Sequence, residues 1–145
     1  MADFNELLKR LKLKSTPKRL AILEVLDEEH VYLSPEDIWT RLKSRFRSIG
    51  LPTVYRNLED LHSNSVISRI IHPDRKLYYY FCRNLKHHHH FICVSCRKVE
   101  DIDFCAEKQI ERLVEHGIKG RVLSHIMQIN GLCGTCLTKE VQLAN

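Results

Sequence analysis

The 145-residue sequence has no apolar run approaching the roughly 20 residues of a membrane span. Its opening residues, Met1-Ala2-Asp3, lack the pattern of a secretory signal. A protein embedded in or exported across a membrane is therefore not expected, and a cytoplasmic location is. Internal repeats and low-complexity linkers are also missing, which argues against solenoid and spacer-rich architectures. Disorder is excluded by a hydrophobic content of 43%, enough for a packed core. The length allows one ordinary domain or two small ones.

What is present begins with charge. The net charge is +5 and the pI is near 8.9, a mild basic excess that suits a nucleic-acid partner. Lys9, Arg10, Lys12, Lys14, Lys18 and Arg19 fall close together, and Arg41, Lys43, Arg45 and Arg47 form a second group. Acids gather later, from Glu100 to Glu115. A solvated charged surface would give the same totals, so charge alone decides nothing.

The two halves differ in period. Phe4, Leu7, Leu8 and Leu11 follow helical spacing. In "STPKRLAILEVL", Thr16 suits a cap and Pro17 the first helical position. "SPEDIWTRL" repeats the device with Ser34, Pro35 and Asp37. "LPTVYRNLEDL" reads as a fourth, short helix. Its Val54, Leu58 and Leu61 share one face, which leaves Tyr55, Arg56 and Glu59 outward. The period then becomes two. "SVISRII" and "KLYYYFC" read as a hairpin around the turn "HPDR". "HHHHFIC" and "KVEDIDF" read as strands, Cys105 to His116 as an amphipathic helix ended by Gly117, and "RVLSHIMQI" as a last strand. The expected class is α+β: a winged helix-turn-helix over 1–82, then a small α/β domain over 83–145.

Six cysteines in a cytosolic chain point to metal or redox chemistry more than to structural disulfides. Cys93-x-x-Cys96 and Cys133-x-x-Cys136 stand 36 residues apart. Two such turns supply four thiolates, which suit a closed, tetrahedral, structural zinc site. Buried thiols or a disulfide would be the plainer readings. Four consecutive histidines precede the first pair. On a strand, His87 and His89 face one way while His88 and His90 face the other, so the run implies two further sites, one per face. Candidate partners for them are His72, Cys82, Asp101, Glu107 and His125. A polar, solvated strand is the alternative. For His125 the alternative is a core histidine, since Leu123, Met127 and Ile129 share its strand face. Cys105 reads as a half-buried helix residue.

The succession "TPKRLAILEVL", "SPEDIW", "LPTVYRNLEDL", "HHHHFICVSC", "HIMQINGLCGTC" resembles the ferric uptake regulator family of bacterial metal-dependent repressors, from about Leu11 to Cys136. The resemblance implies a homodimer that binds a palindromic, AT-rich double-stranded DNA operator and represses transcription, most simply of metal-uptake genes. It implies that the helix carrying Thr53, Tyr55, Arg56 and Asn57 enters the major groove, with the Tyr55 ring on thymine methyls and Arg56 on a base edge or phosphate. Lys14, Lys18 and Arg19 would contact phosphates.

The resemblance also bears on the metal. Iron and peroxide sensors of the family usually carry a histidine just before the third helix, where Tyr32 stands here, and His30 lies two residues off. They usually carry a carboxylate before the histidine run, where this chain has Cys82. A cysteine there is similar to the zinc uptake regulator branch. The expected regulatory set is His72, Cys82, His88 and His90, binding Zn2+, with Asp101 and His30 in reserve. The other face would combine His87, His89, His125 and Glu107. Fe2+ or Mn2+ at the regulatory site, in an iron- or peroxide-sensing member, is the nearest alternative. A zinc enzyme or a zinc-dependent interaction module is more remote. The nucleotide-deaminase pattern is absent, because neither cysteine pair follows a proline.

Overall fold

The computed structural model describes residues 3–144. Helix starts in the first half are set by local chemistry. In α1 (Phe4–Arg10), the Asp3 side chain accepts from the Glu6 N–H. In α2 (Pro17–Glu29), Thr16 accepts from the Arg19 N–H and Pro17 opens the helix. In α3 (Pro35–Leu42), Ser34 and Asp37 satisfy each other's backbone N–H groups in a capping box. The fourth helix, α4 (Leu51–Ser63), buries Val54, Leu58 and Leu61 and leaves Arg56 exposed.

These inward faces meet in one core that includes Leu8, Ile22, Leu26, Ile38, Leu58 and Tyr79. Each such aliphatic side chain contributes about 1.5–3 kcal/mol when fully buried. The wing is an antiparallel hairpin of β1 (Ser68–Ile71) and β2 (Leu77–Tyr80). An isolated bridge between Leu33 and Tyr79 ties it to the segment before α3. The helices and hairpin thus form the expected winged helix.

The second half is built on a three-stranded sheet. Its centre is β3 (His89–Cys93), antiparallel to β4 (Val99–Ile102) and parallel to β5 (Gln128–Gly131). A parallel pair needs a crossover. Here it runs through α5 (Glu107–Leu113) and a π-helical turn over Val114–Ile118. The chain closes with α6 (Gly134–Leu143). An irregular segment, residues 81–88, joins the wing to β3. Among the described residues, no helix is long and apolar enough to cross a membrane.

Three expectations need correction. The last strand covers Gln128–Gly131, not the whole of "RVLSHIMQI", because only those residues lie in register with β3. The helix begins at Glu107, after Cys105, and continues past Gly117 until Lys119 turns left-handed at φ 60°. Its apolar residues are not inward: α5 has no buried residue, and Leu113 is 71% exposed. The alternation and periodicity in this stretch describe faces that a single chain leaves uncovered.

Candidate metal centres

Three groups of four donors form in the second half and at its junction with the first. In each, the ligand atoms all lie within 4.8 Å of one another. A tetrahedron with bonds of about 2.0–2.3 Å has edges of about 3.3–3.8 Å, so this spread suits a zinc ion after small adjustments.

The first group is Cys93, Cys96, Cys133 and Cys136. Cys93 ends β3, Cys96 follows in the turn to β4, and Cys133 caps α6. Cys96 Sγ and Cys133 Sγ are 3.6 Å apart, close to the edge of a zinc–thiolate tetrahedron. All six cysteines are free thiols. Burial opposes ionisation of Cys93, but the N–H groups of Cys133, Cys96 and Ser95 point at its sulfur and bring its pKa down to about 6. At Cys96 the Lys98 N–H favours the thiolate, yet burial and the facing thiols push it up to about 12. Cys93 is therefore poised as a thiolate, and a cation would displace the proton that Cys96 retains.

The second group is Cys82, His88, His90 and Asp101. Cys82 comes from the joining segment, His90 from β3 and Asp101 from the facing position on β4. Cys82 Sγ lies 3.1 Å from His88 Nε2, which is 2.9 Å from His90 Nε2. Asp101 Oδ1 is 3.6 Å and 3.7 Å from those two nitrogens. Asn84 donates to the other Asp101 oxygen at 2.9 Å and fixes the carboxylate. Burial raises the Cys82 pKa. Burial, then His88, lowers that of His90, so its imidazole is neutral and able to ligate near pH 7. One sulfur, two nitrogens and one oxygen suit zinc better than they suit iron or manganese.

The third group is His87, His89, Cys105 and His125. Cys105 Sγ lies 3.3 Å from His87 Nε2 and 3.2 Å from His125 Nε2, and His125 Nε2 lies 3.4 Å from His89 Nε2. Burial, then His87 and His125, lowers the pKa of His89.

The histidine run is thus divided between two groups, His87 with His89 and His88 with His90. Other candidates are placed differently. His72 stays on the wing side, 2.9 Å from Asp74, with its ring beside Tyr32 and Tyr78. It belongs to none of the three groups, and Asp101 stands fourth in its place. His30 is exposed after α2 and is also outside them. Glu107 is exposed at the start of α5, and the fourth donor of the third group is Cys105. Sequence reasoning missed Cys105 as a donor because it was given a helical position. The available signal was that it is the one cysteine left after both pairs and Cys82 are assigned.

The polar face of α4 carries the other candidate site. Thr53, Arg56, Asn57, Asp60 and Arg19 line one open cleft. Arg19 is not free: it donates to Asp60, to Asn57 Oδ1 at 3.1 Å and to the Lys14 carbonyl at 3.2 Å. It braces α4 against α2. Lys14 and Arg56 are exposed and Lys18 is half-buried. Tyr55 donates its hydroxyl to Glu36 at 2.7 Å, a bond that raises its pKa.

Comparison with known proteins agrees with this arrangement. The sequence profile described as "Ferric uptake regulator family" matches residues 10–130. The chain is 30% identical to the peroxide-responsive repressor PerR of Staphylococcus aureus over 132 residues, 91% of this chain and 88% of that one. It resembles the solved Vibrio cholerae ferric uptake regulator at 29% identity and a TM-score of 0.65, over 90% of this chain and all of the other. A zinc uptake regulator solved with zinc and DNA shares the fold, at 20% identity and a TM-score of 0.75, over 94% of this chain and 92% of that one.

Proposed function

The chain belongs to the ferric uptake regulator family of metal-responsive, DNA-binding transcriptional regulators, which are not enzymes, and from that premise we propose that it is a zinc-sensing repressor. In this reading, Cys93, Cys96, Cys133 and Cys136 hold a permanent structural zinc. Cys82, His88, His90 and Asp101 form the regulatory site. The observation that carries the proposal is the composition and position of that second group. It contains a thiol where an all-nitrogen and carboxylate set would favour iron or manganese, and it spans the junction between the two halves.

A cation held there supplies bonds that are available only when the joining segment and the sheet converge. Cys82 is anchored directly after the wing, and His90 and Asp101 are fixed by strand pairing. Convergence therefore restricts the path of residues 81–88 and with it the orientation of the winged helix. Binding shifts the population by its differential affinity for that arrangement.

Arg56 and Tyr55 on the exposed face of α4 are the proposed readers of base edges, with Thr53 and Asn57 beside them and Lys14 and Lys18 on phosphates. Arg19 supports the reading helix through Asp60 and Asn57. A homodimer on a palindromic, AT-rich operator is the proposed form. Support for the dimer comes from α5 and α6, which contain no buried residue, and from exposed Leu113, Leu123, Ile126 and Leu137. The third group, with Cys105, is proposed as a further zinc site on the sheet's other face.

An iron- or peroxide-sensing role is the second reading, because a relative at 30% identity is a peroxide-responsive repressor. Two assays separate them. Chelated protein resupplied with zinc should regain promoter binding in a gel-shift titration; recovery with ferrous iron or manganese but not zinc would reject zinc sensing. Peroxide treatment of the iron-loaded protein should leave its histidines unmodified, whereas an added oxygen on a histidine supports the second reading.

A further inference from the structure

The four-cysteine turn touches the winged helix directly. Tyr32, just before α3, is completely buried, and its hydroxyl donates to the Cys93 carbonyl at 3.1 Å. Its backbone N–H donates to the Arg97 carbonyl at 3.2 Å, and Val31 forms a β-bridge with Lys98. Arg97 reaches in the opposite direction. Its guanidinium donates to Asp37 Oδ2 at 2.6 Å and lies over the Tyr78 ring, 5.1 Å from its centre. Asp37 is the carboxylate that caps α3. Beneath these bonds, Tyr32, Ile70 and Tyr78 from the first half pack with Ile92 and Val99 from the second.

The backbone at Arg97 sharpens the point. Its φ is +65°, a left-handed conformation that glycine adopts most easily. An arginine at this place in the turn is explained by what its side chain does, which is to bind the helix cap of the other half. A planar, charge-assisted donor stacked on an aromatic ring also fixes direction better than an ammonium would.

We infer that the Cys93–Cys96 turn is also the dock for the winged helix, with Arg97 and Tyr32 as the positioning residues that seat it. The regulatory group constrains the joining segment, while this dock fixes the opposite side of the junction. The inference rests on the proposed function only for its consequence in DNA binding.

Hydrogen exchange at the Tyr32 amide reads the dock without DNA. Arg97→Gly suits the left-handed backbone and removes the whole side chain, the guanidinium included. Asp37→Asn alters the same contact from the other half and retains a capping oxygen. Both variants should exchange the Tyr32 amide about tenfold faster than wild type, while the Leu58 amide and the zinc content stay unchanged. Arg97→Lys, which can keep the ion pair, should restore much of the protection. Tyr32 exchange within twofold of wild type in both variants would overturn the inference. Faster exchange in Arg97→Gly alone, accompanied by zinc loss, would also overturn it, since Arg97 would then serve only the turn. Failure of the wild-type chain to bind DNA in response to metal would reject the proposed function and leave the exchange result standing.

Discussion

Replacing Cys82 with serine should weaken the regulatory site far more than it changes the fold. Zinc binding to a four-donor protein site is worth about 10–16 kcal/mol. Shared among four donors, the Cys82 thiolate accounts for about 2.5–4 kcal/mol. Serine is nearly the same size, but its hydroxyl keeps its proton near neutrality and is a poor zinc ligand. At about 1.4 kcal/mol per tenfold, zinc affinity should fall on the order of 10²–10³-fold. Cys82 is half-buried, and its sulfur lies 3.1 Å from His88 Nε2 within the group and 3.8 Å from the Asn84 carbonyl, so the substitution removes little packing outside the site. The assay is competition for zinc against a chromophoric chelator, using protein whose four-cysteine site is already filled. Metal-dependent promoter binding should be lost while the dimer persists. Zinc affinity within threefold of wild type would show that Cys82 is not a ligand.

Further predictions concern protons, the DNA face and the core. Zinc binding at the second group should release about one proton per site near pH 7, chiefly from Cys82, whose pKa is raised, and none from His90, whose pKa is lowered. Affinity should therefore rise with pH between those two values and fall further once His90 protonates; calorimetry in buffers of different ionisation enthalpy checks the count. Arg56→Ala should weaken promoter binding by about 1–3 kcal/mol and leave zinc affinity unchanged, by fluorescence anisotropy and chelator competition. Leu58→Ala opens a cavity in the fully buried face of α4 and should cost about 2–5 kcal/mol in urea unfolding.

Features governed by neighbouring residues were legible in the sequence. Thr16 and Ser34 act as caps because capping needs only the next three residues. The inward face of α4 follows from helical spacing, and the separation of His87 and His89 from His88 and His90 follows from the alternation expected of an extended chain. What escaped depends on where loops travel. Cys105 lies before α5, so its direction is set by the path after β4 and by His125, twenty residues later. The resemblance implies a regulatory ligand from the wing, His72, and the fold sets its ring beside Tyr32 and Tyr78 in the contact between halves, a placement that sequence spacing does not specify. Asp101 is placed by strand register opposite His90, which spacing from the histidine run does not specify. Residues 121–127 alternate like a strand, yet they have no ladder partner within one chain. Arg19 appeared as one of several basic residues. Its partners Asn57 and Asp60 lie 38 and 41 positions away and make it a brace for α4.

In the proposed mechanism, loading of the Cys82 group is what permits DNA binding. It can be followed on one sample with cobalt as a coloured substitute for zinc. In a Cys105→Ala variant with its four-cysteine site held by zinc, Cys82 is the remaining thiol. Thiolate-to-cobalt absorption then reports this group alone, while fluorescence anisotropy reports promoter binding. The two signals should rise together and saturate at one cobalt per chain. Full promoter binding before the absorption appears, or absorption that saturates without any gain in binding, would contradict it.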